Sequence, residues 1–165
     1  LVRTGLPVYV TPESRTSVQL LRVLCQRQFG DVPRLTDVEA EAPARLLIGD
    51  ATIEYARTLP PAQQGIDLGA WWMEQTGLPF VFAQWVVSKS IGCVERDRIV
   101  AWLERCARGA SHPGPPEAAG VDDEPHFAAY HRAVRPRLTW EDLEGRDLFL
   151  QRMESMLHVP VAPLS

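Results

Sequence analysis

Several absences bound the chain before any pattern is read. Only three cysteines occur, Cys25, Cys93 and Cys106, an odd number at wide spacing with no CxxC pair. That argues against a disulfide framework and for reduced, buried thiols in a cytoplasmic protein. The four histidines, His112, His126, His131 and His158, fall late in the chain, and none stands at zinc-ligand spacing from a cysteine or an acid. No metal site is expected. A basic excess is also lacking: the net charge is −4, which excludes an extended surface for nucleic acid or anionic membrane. No apolar run approaches the roughly 20 residues that span a bilayer. P-loop, Rossmann glycine and Ser-His-acid signatures are all missing.

What remains is a chain of 165 residues, 45% hydrophobic and 23% charged, the ordinary balance of a soluble globular domain. Pro7–Thr11 is β-branched and apolar and is expected to form a strand. A helix follows over Ser14–Phe29, with an apolar stripe at Leu20, Leu21, Leu24 and Cys25 and a stop at Gly30. Arg45–Gly49 is apolar enough for a strand buried on both faces. Helices are expected at Ala51–Arg57, ended by Pro60-Pro61, and at Leu68–Gln75, capped by Asp67 and ended before Gly77. The aromatic run Phe80–Val87 is expected to be a third strand. Strand and helix alternate with short connections, so the fold class is α/β.

The pattern changes after Lys89, giving an expected division into an α/β lobe over 1–89 and a helical region over 90–165. Ile99, Val100, Leu103, Cys106 and Ala107 stripe a helix over Glu95–Arg108. Residues 109–125 are rich in Gly, Pro and Ala and read as a loop. A last helix begins at Thr139, where Asp142 completes a capping box, and presents Leu143, Leu150, Met153 and Leu157 on one face. Glu141, Asp142 and Glu144 make a solvated acidic start. The two last helices carry more apolar surface than so small a sheet covers. The chain also opens on Leu1 almost directly into a strand. Both features lead to the expectation of a piece of a longer protein whose helical region packs on an N-terminal lobe.

Two places can hold chemistry. At Ser14, Arg15, Thr16 and Ser17 a strand turns into a helix, whose first N–H groups, dipole and hydroxyls suit a carboxylate or phosphate; Arg15 adds a bidentate donor. Ser14 serves equally well as a plain N-cap. Gly49 and Asp50 lie past the carboxyl end of a buried strand, the edge where open α/β sheets bind ligands. Asp50 can accept from a hydroxyl or carry a proton, or simply cap the next helix. Trp71 and Trp72 are read as packing.

The order and spacing of Ser14-Arg15-Thr16-Ser17, Leu47-Ile48-Gly49-Asp50, Asp67-Leu68-Gly69 with Trp72, and Thr76-Gly77-Leu78-Pro79-Phe80-Val81-Phe82-Ala83-Gln84-Trp85 resemble the chorismate dehydratases of the futalosine route to menaquinone. The resemblance covers Val8 to Lys89, and Tyr130–Leu150 with Leu143-Glu144-Gly145 looks like that family's final helix. It implies one lobe plus C-terminal helices of a type II periplasmic-binding-protein-like fold, with the ligand cleft between two lobes. It implies loss of water from chorismate to give 3-[(1-carboxyvinyl)oxy]benzoate, with no metal or organic cofactor. Ser14–Ser17 would hold a substrate carboxylate, and Asp50 would contact the ring hydroxyl. The sister dihydroxynaphthoate synthase is similar in fold but reads differently over Phe80–Trp85. A non-catalytic carboxylate-binding module on the same fold is the other alternative. This sequence departs from the family in having no counterpart of its N-terminal Tyr-Leu-Asn segment, and in the loop-like stretch 109–125.

Overall fold

The computed structural model describes residues 5–11, 15–58, 65–110 and 135–157. Its sheet is small and parallel. Strand β1 (Val8–Val10) lies between β2 (Leu35–Thr36) and β3 (Ala44–Leu46). Val8 pairs with Leu35 on one side and Ala44 on the other, and Val10 pairs with Leu46. The α/β expectation holds, with strand β2 added: two residues are too few for alternation to reveal. A 3₁₀ turn (Glu39–Glu41) carries the chain across from β2 to β3. The exposed Arg45–Glu39 pair at 2.8 Å fastens that turn to β3, a contact worth at most about 1 kcal/mol.

Helix α1 (Arg15–Phe29) joins β1 to β2 and buries Ser17, Leu20, Val23, Leu24 and Cys25. Gly30 ends it with φ 73° and an N–H to the Gln26 carbonyl, a left-handed stop that favours glycine. Helix α2 (Asp50–Thr58) follows β3. Helix α3 (Leu68–Thr76) begins as expected: the Asp67 carboxylate accepts from the Ala70 N–H at 2.7 Å, satisfying one of the orphan donors of the first turn. It ends at Gly77, φ 71°, whose N–H reaches the Met73 carbonyl. Helices α4 (Cys93–Ala110) and α5 (Trp140–Leu157) complete the described elements. None of the described helices is long and apolar enough to cross a membrane.

Two compact units emerge, one of Leu1–Phe82 with Trp140–Ser165 and one of Ala83–Thr139. Helix α5 thus groups with the sheet rather than with α4, a different division from 1–89 and 90–165. Its place is set by the core. Trp72 is fully buried, Phe149 meets it edge-on at 6.0 Å, and Phe80 packs edge-on against both at 5.6 and 4.9 Å. Leu20, Val23 and Leu24 complete the cluster. Burying an indole gains about 5 kcal/mol. The Trp72 N–H, buried with no partner among the described residues, costs about 1–3 kcal/mol. The apolar gain wins.

Several expectations need correction. The strand expected over Arg45–Gly49 is the shorter β3, and it is not buried on both faces, since Arg45 is exposed. Phe80–Val87 is not a strand: Phe80 turns into the aromatic cluster, while Trp85 is 81% and Val86 76% exposed. Side-chain type favoured β structure there, but no strand among the described residues pairs with the run. The inner face of α5 runs through Asp142, Gly145, Phe149, Met153 and Met156, leaving Leu150 exposed. Asp142 is therefore buried, not part of a solvated acidic start. Of the thiols only Cys25 is buried; Cys93 and Cys106 are exposed. On α4 the half-buried positions are Ile99, Leu103 and Ala107.

Gly145 explains how α5 approaches so closely. A Cβ there would collide with the Pro79 carbonyl oxygen and touch Leu78. The Thr76 hydroxyl holds that loop in place, donating to the Trp72 carbonyl at 2.8 Å and accepting from the Leu78 N–H at 3.1 Å. Gly145→Ala should therefore lower the unfolding free energy by about 1–3 kcal/mol, as overpacking does. Gly65→Ala, with open space around it, should change it by less than about 0.5 kcal/mol; urea unfolding of both variants checks the contrast.

Burial pushes the Cys25 thiol from about 9 up to about 11. The native state then keeps a proton that the unfolded chain releases, so stability falls as pH rises through about 9 to 11. Urea midpoints across that window should fall more steeply for the wild type than for Cys25→Ala.

Candidate functional site

Parallel strands fix where the candidate residues lie. Because Val10 pairs with Leu46 in the same direction, β1 and β3 end at one edge of the sheet, about 5 Å apart. Each then leads into a helix: β1 into α1 at Arg15, and β3 through Leu47, Ile48 and Gly49 into α2 at Asp50. Two helix N-termini are thereby brought to one sheet edge. Their first N–H groups have no partner within the helix, and both dipoles present their positive ends there.

Arg15 and Thr16 are exposed in the first turn of α1, whereas Ser17 is only 8% exposed. Ser17 lies three residues before Leu20 and seven before Leu24, on the stripe that faces inward. Its hydroxyl is therefore held by packing, while Arg15 and Thr16 face water. Ser14 lies outside the described residues, as do the four histidines and most of 109–125.

Gly49 has φ 61°, a left-handed conformation in which a Cβ is strained. Its carbonyl accepts from the Thr52 N–H at 3.0 Å, so this glycine starts α2 by bending the chain out of β3. Asp50 is then the first helical residue, not the cap before Ala51, and it is exposed. Its carboxylate makes no hydrogen bond or ion pair with another described residue.

Two open grooves lie elsewhere. One, of about 380 Å³, is lined by Arg27, Gln28, Trp71, Glu74 and Gln75 at the carboxyl ends of α1 and α3. The other, of about 440 Å³, is lined by Leu78, Glu144, Asp147, Leu148 and Gln151. Neither includes Arg15, Thr16, Ser17, Gly49 or Asp50. In the first groove the Gln28 side-chain oxygen accepts from Trp71 Nε1 at 2.7 Å and from Gln75 Nε2 at 3.2 Å. Sequence reasoning passed over these polar groups. Their signal was the period: Arg27 stands seven residues after Leu20, and Gln28 four after Leu24, continuing an apolar stripe with polar side chains.

A family profile described as menaquinone biosynthesis matches residues 2–155. The chain belongs to that family, the family of the chorismate dehydratases. Its match reaches residue 155 in the last turn of α5, so the sheet edge and nearly all of the helix that seals the core fall within it. Membership in this family places the chain in menaquinone biosynthesis, and a biosynthetic family implies a small-molecule substrate.

The bend at Gly49 sets where Asp50 stands. Gly49→Ala should cost about 1 kcal/mol of stability through its left-handed φ, with Gly49→Asn, which tolerates that region better, costing less; thermal unfolding of the pair measures it.

Proposed function

We propose that this chain carries the substrate-carboxylate half of a chorismate dehydratase. The observation that supports this most is the convergence of two helix N-termini, with Arg15 and Asp50, at the carboxyl edge of adjacent parallel strands in a chain of the menaquinone-biosynthesis family. The first-turn N–H groups of α1, with Arg15 and the Thr16 and Ser17 hydroxyls, bind one carboxylate of chorismate. The backbone at Gly49 approaches the ring, and Asp50 contacts the ring hydroxyl that leaves. In the reaction the ring C–O bond breaks with its electron pair, a ring proton is lost, and the two depart as water. The ring becomes aromatic as 3-[(1-carboxyvinyl)oxy]benzoate. Aromatisation supplies the driving force, so the protein's task is orientation and stabilisation of the departing hydroxide, from a site fixed before the substrate arrives.

The second half of the cleft, in this reading, comes from a further α/β lobe in a periplasmic-binding-protein-like arrangement. Exposed apolar side chains in the unit of Ala83–Thr139 support it: Trp85 and Val86, then Val94, Val100 and Trp102 on α4 are 42–81% exposed. Isolated apolar residues on a surface are common, but this many in one unit favour burial against another body.

Chromatographic measurement of chorismate loss and enol-ether product tests the proposal, in this chain and in a version extended upstream. Product from either supports the dehydratase; no product from an extended, folded protein rejects it. In the active form Ser17→Ala and Asp50→Asn should each lower kcat/KM by about tenfold, about 1.4 kcal/mol of transition-state stabilisation. Unchanged kinetics in both would remove this edge from the site.

A further inference from the structure

The end of α1 opposite the sheet edge is tied to α3 through one side-chain oxygen. Gln28 Oε1 accepts from Trp71 Nε1 at 2.7 Å and from Gln75 Nε2 at 3.2 Å. Trp71 and Gln75 are four residues apart, so they stand one above the other on α3. A single acceptor thus catches two consecutive turns of the neighbouring helix. The next residue of α1 adds to the tie: the Phe29 and Trp71 rings lie 6.3 Å apart, tilted by 56°. The Gln28 amide N–H₂ bonds to no described residue, so the side chain works here as an acceptor alone.

We propose that Gln28 is a positioning residue for the first turn of α1, fixing from the far end of the helix the donors that meet a substrate carboxylate. Its effect on catalysis rests on the dehydratase reading; its effect on the helix does not. Leverage carries the effect. Helix α1 meets the aromatic cluster through Leu20, Val23 and Leu24, close to the middle of Arg15–Phe29. A stiff rod held near its middle rocks, and its two ends move in opposite directions. Gln28 lies about 18 Å along the axis from the Arg15–Ser17 turn, so a change of direction at one end reaches the other. In that first turn Arg15 and Thr16 are exposed and only Ser17 is buried, and so small a side chain gives little purchase. The second attachment, at Gln28, removes the rocking.

A kinetic signature follows. The carboxylate held by this turn keeps its charge throughout the reaction, so the turn grips substrate and transition state alike. Loosening it raises KM and leaves kcat in place. A variant that merely unfolds part of the protein does the opposite: fewer active molecules lower kcat, and KM stays.

Three substitutions test the tie, each measured well below its unfolding midpoint. Gln28→Met keeps the length and loses the acceptor, Gln28→Glu keeps an acceptor, and Trp71→Phe keeps an aromatic ring and loses the N–H. In the active form Gln28→Met and Trp71→Phe should raise KM for chorismate by about threefold to tenfold, with kcat within about twofold. Gln28→Glu should stay near the wild type, and Trp71→Phe added to Gln28→Met should raise KM no further. Amide exchange in this chain reads the helix without any substrate. The N–H groups of Gln19, Leu20 and Leu21 bond back to the carbonyls of Arg15, Thr16 and Ser17 in an α-helix. Their exchange should quicken in Gln28→Met and not in Gln28→Glu, while amides of α5, which Gln28 does not touch, hold their rates. Unchanged exchange at Gln19–Leu21 in Gln28→Met, equal quickening in α5, or a loss confined to kcat would overturn the role. An extended, folded protein with no turnover rejects the dehydratase reading, and exchange then decides the positioning by itself.

Discussion

The burial of Trp72 is the constraint on which the rest of the described core depends. Its indole is closed off on three sides by elements far apart in sequence: Leu20, Val23 and Leu24 from α1, Phe80 from the loop after α3, and Phe149 from α5. Each ring meets the next edge-on, so a positive edge faces a negative face, an arrangement worth more than area alone. Remove the indole and a cavity opens between α1, α3 and α5, where α1 and α5 also pack on each other directly. The cluster tolerates an unbonded indole N–H because the apolar area it closes is larger in free energy than the hydrogen bond it forgoes.

The candidate site depends on that core indirectly. Strands β1 and β3 are three residues each, too short to be rigid alone. Helix α1 stiffens them. It is pinned on its inner stripe by the Trp72 cluster and at its end by the Gln28–Trp71 and Gln75–Gln28 hydrogen bonds. The first turn of α1 therefore inherits its position from packing at the other end of the helix. An anion or substrate at Arg15–Ser17 would meet donors that need not reorganise, the condition under which oriented dipoles are most effective.

Much of this was legible in the sequence where a local rule had no competitor. The Asp67 cap, the Gly30 and Gly77 stops, the α1 stripe and the packing role of Trp72 all follow from side-chain chemistry within a few residues of the feature. So did the placement of Gly49 and Asp50 past a strand end. What the sequence hid depends on partners. The run Phe80–Val87 has the composition of a strand, but composition does not provide a neighbouring strand. Strand β2 exists only because β1 offers it an edge. On α5, Leu150 looked like core by type, yet Gly145 is what the approach to Pro79 needs, and the helix rotates to present it. Asp142 goes inward with that rotation. For the site, the candidate residues could be named in advance, whereas their common edge required the pairing of Val10 with Leu46. Ser17 turning inward beside exposed Arg15 and Thr16 likewise came only from the helix phase.

The unit that holds the sheet is built from two stretches of chain, with Ala83–Thr139 between them. A nascent chain emerging from the ribosome exposes Trp72 and Phe80 long before Phe149 and Gly145 are made. Through that interval the aromatic cluster has no lid, and the sheet edge rests on a half-built support. Synthesis therefore passes through a stage in which an apolar aromatic surface awaits its final helix, the kind of surface that invites aggregation until α5 arrives.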